Sequence, residues 1–309
     1  MDRFAALRTF VTVVEKGSFA AAAETLRLSR AMATKHVADL EARLDTRLLN
    51  RTTRRLSLTE AGADFHRRGQ EILDLFDEAE RTATTSTAQP SGVLRINAPM
   101  SFGVLHLADA VSAYHADCPG VSVELTLNDR VVDLVEEGFD LAVRIGTLKD
   151  SSLMARRLAP CRLVVAASPD YLHRYGRPTD PEDLKDHRCL LYMYASHGDI
   201  WRFEREGKVR AVKVAGPMRS NNGEALMRAA INGMGVIMQP TFMLSSALQS
   251  RKLEVLLPDW TLTDLGIYAV WPHSRHLSAK VRTLVDFLVK HFEAEPYWDR
   301  GIRAYGEKS

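Results

Sequence analysis

Between Ser18 and Leu44 the chain has room for two helices and almost nothing between them. Ser18 is a favourable N-cap for a helix reaching about Leu26, and Ser29 for a second reaching about Leu44, so only Arg27 and Leu28 connect them. The alanine run 20–23 lets a neighbouring helix approach closely. In the second helix Met32/Ala33, Val37, Leu40 and Leu44 recur at three- and four-residue spacing and form one apolar stripe. The other face carries Arg30, Thr34, Lys35 and His36. These are side-chain donors close to a helix N-terminus, where a helix-turn-helix presents groups to the major groove of double-stranded DNA. Taken alone, the pair fits an ordinary helical hairpin of an all-α bundle equally well.

The flanks break that tie. Phe4, Leu7, Phe10, Val11 and Val14 predict an amphipathic helix ahead of the pair, closed by Gly17. After it, Arg51, Arg54 and Arg55 interleave with Thr52 and Thr53, and Leu56 and Leu58 alternate as in a short strand, which reads as a basic wing. Residues 1–62 hold eleven Lys/Arg against seven Asp/Glu, a net +4, while the whole chain is +2 and residues 63–309 therefore −2. The basic excess lies with the helix pair, as phosphate contact requires. Ser29, Arg30, Met32, Thr34, Lys35 and His36, with Arg51, Thr52, Thr53, Arg54 and Arg55, are the candidate DNA-binding residues.

The order of these parts resembles the LysR-type transcriptional regulators. The resemblance rests on Phe10 and Val14, Gly17-Ser18-Phe19, Ala22/Ala23 with Leu26, Leu28-Ser29, Leu40-Glu41 with Leu44, Leu48-Leu49 with Arg51, and Leu58-Thr59 with Gly62. The stretch Arg51-Thr52-Thr53-Arg54 resembles one large subgroup. Arg30, Ala31, Thr34 and His36 depart from the family's usual Gln, Pro, Ser and neutral polar residue on the DNA-reading face, and Asp45 replaces the usual Gly after the helix. The resemblance implies an α+β multidomain chain. Its parts are an N-terminal winged helix-turn-helix over 1–59, a long linker helix with hinge over 60–89, and a C-terminal two-lobed α/β effector domain over 90–309, similar to periplasmic binding proteins. It also implies a dimer of dimers.

The linker has its own signature. Thr59 is placed to cap a helix from about Glu60 to Thr84, with Phe65, Ile72, Leu73, Phe76 and Ala79/Ala83 along one side and charges along the other. About 24 helical residues span ~36 Å, and an exposed helix of that length with a thin apolar seam needs a partner. The polar stretch 84–92, with Pro90 and Gly92, reads as the hinge.

Beyond the hinge, strand and helix patterns alternate, which predicts α/β layers with largely parallel sheets and a ligand crevice at strand ends. Lobe one is expected over about 93–164 plus 266–300, and lobe two over about 165–265, with a helix over Val131–Glu137 and a strand over Val209–Ala215. Asn97-Ala98-Pro99 with Ser101-Phe102-Gly103, the run 138–146, and Ser220-Asn221-Asn222-Gly223 with Gly233-Met234-Gly235-Val236 resemble the LysR-type effector domain. Ser101, Phe102, Arg144, Met193, Asn221 and Asn222 are the candidate effector-binding residues, for a small anionic organic molecule held by helix N-termini. Ser101 and Asn222 serve equally as plain N-caps, and Trp201 as a packed core aromatic.

An enzyme is the first rival reading. The chain has no Gly-rich phosphate loop, no H-E-x-x-H and no G-x-S-x-G, and its histidines follow no ligand spacing, so no catalytic residue, metal or cofactor is expected. A solute-binding protein with a helical module is the second rival, opposed by the basic N-terminal part and an opening that reads as helix rather than signal peptide. No apolar run approaches the ~18 residues of a membrane span, so the expected location is the cytoplasm and no membrane partner is expected. RNA polymerase is a further candidate partner. Cys118, Cys161 and Cys189 read as reduced thiols, with Cys161, between Arg157 and Arg162, kept as the one for a thiol-redox alternative.

Overall fold

The computed structural model describes residues 2–52, 55–84, 90–147, 153–263, 265–273, 277–300 and 302, without the side chains of 51, 52, 55, 71, 74, 75 and 77–84. The chain divides into two compact units, Met1–Ala88 and Gln89–Ser309.

The first unit opens with helices α1 (Arg3–Lys16), α2 (Phe19–Thr25) and α3 (Arg30–Leu44). Each cap follows from local chemistry. The Asp2 carboxylate takes the Phe4 N–H, the Ser18 hydroxyl those of Ala20 and Ala21, and the Ser29 hydroxyl that of Met32. Gly17 closes α1 at φ 64°, and Asp45 closes α3 at φ 49°, the left-handed conformation that aspartate tolerates better than most residues. Strands β1 (Leu49–Thr52) and β2 (Arg55–Leu58) pair antiparallel as the wing. Glu41 of α3 anchors the wing's start by accepting the Leu48 and Leu49 N–H groups at 2.8 and 3.1 Å. Helix α4 (Glu60–Thr84) follows, its first turn held by Thr59, whose hydroxyl takes the Gly62 N–H at 2.9 Å. A Cβ on Gly62 would lie 1.9 Å from the Leu48 carbonyl oxygen, so only glycine lets α4 start this close to the wing. Phe10, Val11, Val37, Leu40, Leu48, Leu49 and Leu73 form the core of this unit.

The second unit runs β3 (Gly92–Ala98), α5 (Met100–Phe102), a π-helical turn (Gly103–Leu107), α6 (Ala108–Asp117), β4 (Val121–Leu127), β5 (Leu141–Gly146) and β6 (Leu153–Cys161). It continues with β7 (Leu163–Ala167), α7 (Pro169–Tyr175), a 3-10 turn (Pro181–Asp186), β8 (Cys189–Tyr192), β9 (Ile200–Arg205), β10 (Lys208–Lys213), β11 (Arg219–Ser220) and α8 (Gly223–Ile231). Last come β12 (Val236–Pro240), α9 (Thr241–Gln249), β13 (Glu254–Leu256), β14 (Thr261–Leu262), β15 (Leu265–Pro272), α10 (Ala279–Phe292) and a 3-10 turn (Tyr297–Asp299).

These strands build two five-stranded sheets, ordered β4-β3-β5-β15-β6 and β11-β8-β12-β7-β13, and a small sheet β10-β9-β14. Each large sheet is the spine of one lobe. The chain leaves the first lobe through Arg162, between β6 and β7, and returns between β14 and β15. The sheets are mixed rather than largely parallel: β15 runs antiparallel to β5 and β6, and β7 antiparallel to β12 and β13. The reason is connectivity. A parallel neighbour needs a crossover segment, whereas β7 and β15 arrive directly from the other lobe. Alternation along β7 then separates two cores: Val164 and Ala166 face α8 and α9, while Val165 and Ala167 face Trp201, Phe203 and Tyr171.

Two expected elements differ. Residues 131–138 form turns rather than a helix, with Asp133 capping the Val135 and Glu136 N–H groups and Val132 and Leu134 buried on one side. The strand expected over 209–215 is β10, the outer strand of a hairpin with β9, where Val209 and Ala211 are exposed.

Candidate functional site

Helix α3 turns Ala33, Val37 and Leu40 into the core of the first unit and leaves Ser29, Arg30, Ala31, Met32 and Lys35 exposed. Met32 therefore lies outside the apolar stripe in which its spacing placed it: it is 46% exposed, because Ala33 already fills the inward position of that turn. Thr34 donates its hydroxyl to the Arg30 carbonyl at 2.9 Å, which leaves its oxygen lone pairs facing outward. His36 is tied inward by the hydroxyl of buried Thr9 on α1, 2.9 Å from Nδ1, so the ring braces α3 on α1. The candidates Thr53 and Arg54, and the side chains of Arg51, Thr52 and Arg55, lie outside the described residues. The backbone register still sets Arg51 opposite Leu56, and Thr52 opposite Arg55, at the wing tip.

In the second unit the two lobes meet along a seam of named contacts. Phe102, in α5 of the first lobe, packs edge-on against Phe242, in α9 of the second, with ring centroids 5.4 Å apart. Next to Phe242, the Met243 thioether lies against Gly223, the first residue of α8, and the Gln239 side-chain oxygen is 3.1 Å from where a Gly223 Cβ would be. Gln239 is only 4% exposed and its Nε2 has no hydrogen-bond partner. Asn222 caps α8 by accepting the Ala225 N–H at 2.9 Å, and its own N–H goes to the Ser220 hydroxyl at 3.0 Å. The Gly223 and Glu224 N–H groups, in the first turn, have no partner four residues back within the helix. One end of the seam thus offers a helix N-terminus with an unspent buried amide donor beside it. At the other end Ser101 lies buried in the first turn of α5.

Two family models match the chain. Residues 4–63 match the bacterial regulatory helix-turn-helix protein, lysR family, and residues 87–293 match the LysR substrate binding domain. An uncharacterized HTH-type transcriptional regulator of Haemophilus influenzae is 40% identical, over 91% of this chain and 98% of its own length. The HTH-type transcriptional activator TtdR of Escherichia coli is 33% identical, over 91% of each chain. The solved structure of CrgA, a LysR-type transcriptional regulator from Neisseria meningitidis, aligns with a TM-score of 0.60 at 33% identity, over 93% of this chain and 97% of that one. The chain belongs to the LysR-type transcriptional regulators. It combines the family's helix-turn-helix DNA-binding domain with its effector-binding domain.

Within this LysR-type regulator the effector candidates separate. Asn222 and Ser101 occupy helix starts on the seam. Phe102 does not line it openly: its ring is fully buried among Phe242, Phe292, His106 and Trp298, because the helix following β3 turns that side into the core of the first lobe. Arg144 donates to Asn97 Oδ1 at 2.9 Å and to the Val132 carbonyl at 3.2 Å, so part of its guanidinium holds the 131–138 turn against the sheet. Met193 and Asn221 are exposed, with the Met193 N–H on the Ser220 carbonyl at 2.9 Å. Trp201 is a core residue.

Sequence reasoning missed Gln239 and two further seam residues, Asp129 and Tyr192. Each stands at a strand end, and polar residues at strand ends facing a crevice are the signal that would have singled them out. The thiol alternative meets a physical obstacle. Burial, reinforced by the nearby Asp299, pushes the Cys161 thiol up to about 12, and burial alone takes Cys189 to about 12, so neither is a ready thiolate.

Proposed function

We propose that α3 reads operator DNA through Arg30, Met32, Thr34 and Lys35, with Ser29 setting the helix start, while the wing arginines Arg51, Arg54 and Arg55 hold the phosphate backbone. The observation that carries this reading is the division of α3 into a buried Ala33-Val37-Leu40 face and an outward polar face at its N-terminus. His36, bound to Thr9, serves as a brace for that face rather than as a base reader. A small carboxylate-bearing organic effector binds along the seam of the second unit, at Asn222, the α8 N-terminus and the Gln239 amide, with Ser101 on the facing side. Supporting this are the uncapped first-turn N–H groups and the buried donor beside them. The regulator assembles as a dimer of dimers through α4, acts in the cytoplasm, and meets RNA polymerase at its promoters; the effector shifts the balance between two arrangements of the assembly and so the bend of the DNA.

Footprinting on the DNA upstream of its own gene, with and without candidate carboxylates, tests both parts. Arg30→Ala is expected to cost about 1–3 kcal/mol on the footprinted site and far less on random DNA. Arg54→Ala is expected to weaken binding to both and lower the salt slope by about 1. Asn222→Ala is expected to blunt the response to effector while leaving operator affinity without effector unchanged. Equal losses on both DNAs for Arg30→Ala remove it from base readout, and an undiminished effector response in Asn222→Ala moves the effector elsewhere.

A further inference from the structure

The helical run that begins at Met100 has no cap of its own. Pro99 occupies the cap position and offers no side-chain acceptor. The acceptor comes instead from 29 residues further on: Asp129 Oδ1 takes the Met100 N–H at 2.8 Å. The Asn128 N–H bonds the Ala98 carbonyl at 3.0 Å, extending the β3–β4 ladder by one step and delivering Asp129 to that place. On the other side of the seam Tyr192 ends β8, in register with Ser220 of β11, the residue whose hydroxyl holds the Asn222 N–H. The Asp129 carboxylate accepts the Tyr192 hydroxyl, and together with burial this raises the phenol's pKa. A carboxylate of the first lobe is therefore held between a helix N-terminus of its own lobe and a phenol of the second.

We propose that Asp129 is a tethered internal ligand of the effector seam, filling the seat that a carboxylate of the effector takes when it binds. The inference rests on the effector reading given above and adds its regulation: binding is the exchange of a fixed carboxylate for a free one. The seat suits the chemistry, since a helix N–H and a hydroxyl both donate and both favour an anion. Tethering makes Asp129 a strong competitor, because a group attached to the site acts at an effective concentration of about millimolar or more. A simple carboxylate has nothing to offset that competition. An effector must bring further contacts, such as those at Gln239 and α8, and the internal ligand thereby becomes a filter for specificity. Exchange also removes an inter-lobe bond, so the lobes are released from one arrangement at the moment the effector takes hold of the other.

The test is chemical rescue in the full-length protein with acetate as probe, compared with chloride at equal ionic strength. Asp129→Ala is expected to melt several degrees lower in chloride and to regain most of that loss in acetate, saturably, while the parent protein melts alike in both salts. Asp129→Ser, which keeps a capping hydroxyl for Met100 and so guards against a folding failure, is expected to show the same acetate preference. Adding Tyr192→Phe to either variant is expected to raise the acetate midpoint about tenfold, the loss of one hydrogen bond to a charged group. If acetate stabilises parent and variants equally, or neither variant at all, or if Tyr192→Phe leaves the midpoint unchanged, Asp129 is an ordinary cap and the proposal falls. Failure of the underlying effector reading shows differently: Asn222→Ala then responds to effector like the parent, whatever acetate does at Asp129.

Discussion

His106 sits inside the π-helical turn with both ring nitrogens engaged. Nε2 lies 3.1 Å from the Phe242 carbonyl and must donate to it, so Nδ1 accepts the Tyr297 hydroxyl at 2.5 Å. This is the bonding pattern of a neutral imidazole, and burial holds the pKa of His106 below its ordinary value of 6.5, against a partial counter-effect from the Phe242 carbonyl and Asp109. The unfolded chain therefore binds the proton first as pH falls. The stability that His106 contributes is complete above pH 6.5 and is lost as pH drops below that value toward the folded pKa. Asp299 works in the opposite sense. Burial raises its pKa above 3.8 despite Thr241 and Arg162, so the cost of its buried charge is relieved only in the more acidic range. Calorimetric melting between pH 7.5 and 5.5 is expected to show Tm falling with pH in the parent protein, and falling less in His106→Gln, whose amide offers one donor and one acceptor in the same places. An unchanged slope in that variant would assign the acid sensitivity to another group.

Helix α4 shows how one element divides its apolar residues. Phe65, Gly69 and Leu73 turn toward α1, where a Cβ on Gly69 would meet the Leu7 Cδ1 at 2.8 Å, and Leu73 is buried. Ile72 points away and is 48% exposed; Phe76 is 42% exposed although its ring stacks on Phe4 at 4.3 Å. Ile72→Glu is therefore expected to break dimers in analytical ultracentrifugation at little cost to the fold of the first unit, whereas Phe76→Glu also forfeits the Phe4 contact and lowers its melting temperature. A dimer that survives Ile72→Glu would locate the interface off this face. The same element explains what a sequence makes legible. Caps at Ser18, Ser29 and Thr59 were readable because cap and helix are adjacent in the chain, and Ala33, Val37 and Leu40 because spacing fixes a face. Spacing does not say where a stripe's edge falls, so Met32 and Ile72 were assigned to seams that their neighbours already fill. Phe102 and Asp129 are governed by partners far along the chain, at Phe242 and Met100, and no local pattern encodes such a contact.

On the scale of the whole chain, the second unit is held together by more than its two crossings. The turn Tyr297–Asp299 belongs to the first lobe, yet Tyr297 binds His106, Trp298 packs on Phe242 of the second lobe, and buried Asp299 pairs with Arg162 on the crossing strand at 3.3 Å. Lobe two is one continuous stretch of chain, from β7 to β14. Lobe one is not: its sheet runs β4-β3-β5-β15-β6, and β15, the strand that joins β5 to β6, comes after all of lobe two. This interleaving dictates an order of assembly. As the chain emerges during synthesis, β6 has no neighbour to pair with until about a hundred further residues have been made, while lobe two already has every strand it needs. Pulse-labelling hydrogen exchange during refolding of the full-length protein is expected to protect the amides of β7, β8 and β12 before those of β5, β6 and β15. The nascent regulator would then carry a finished half and an open edge strand, the stage at which a chaperone has most to shield and a neighbouring chain most to capture.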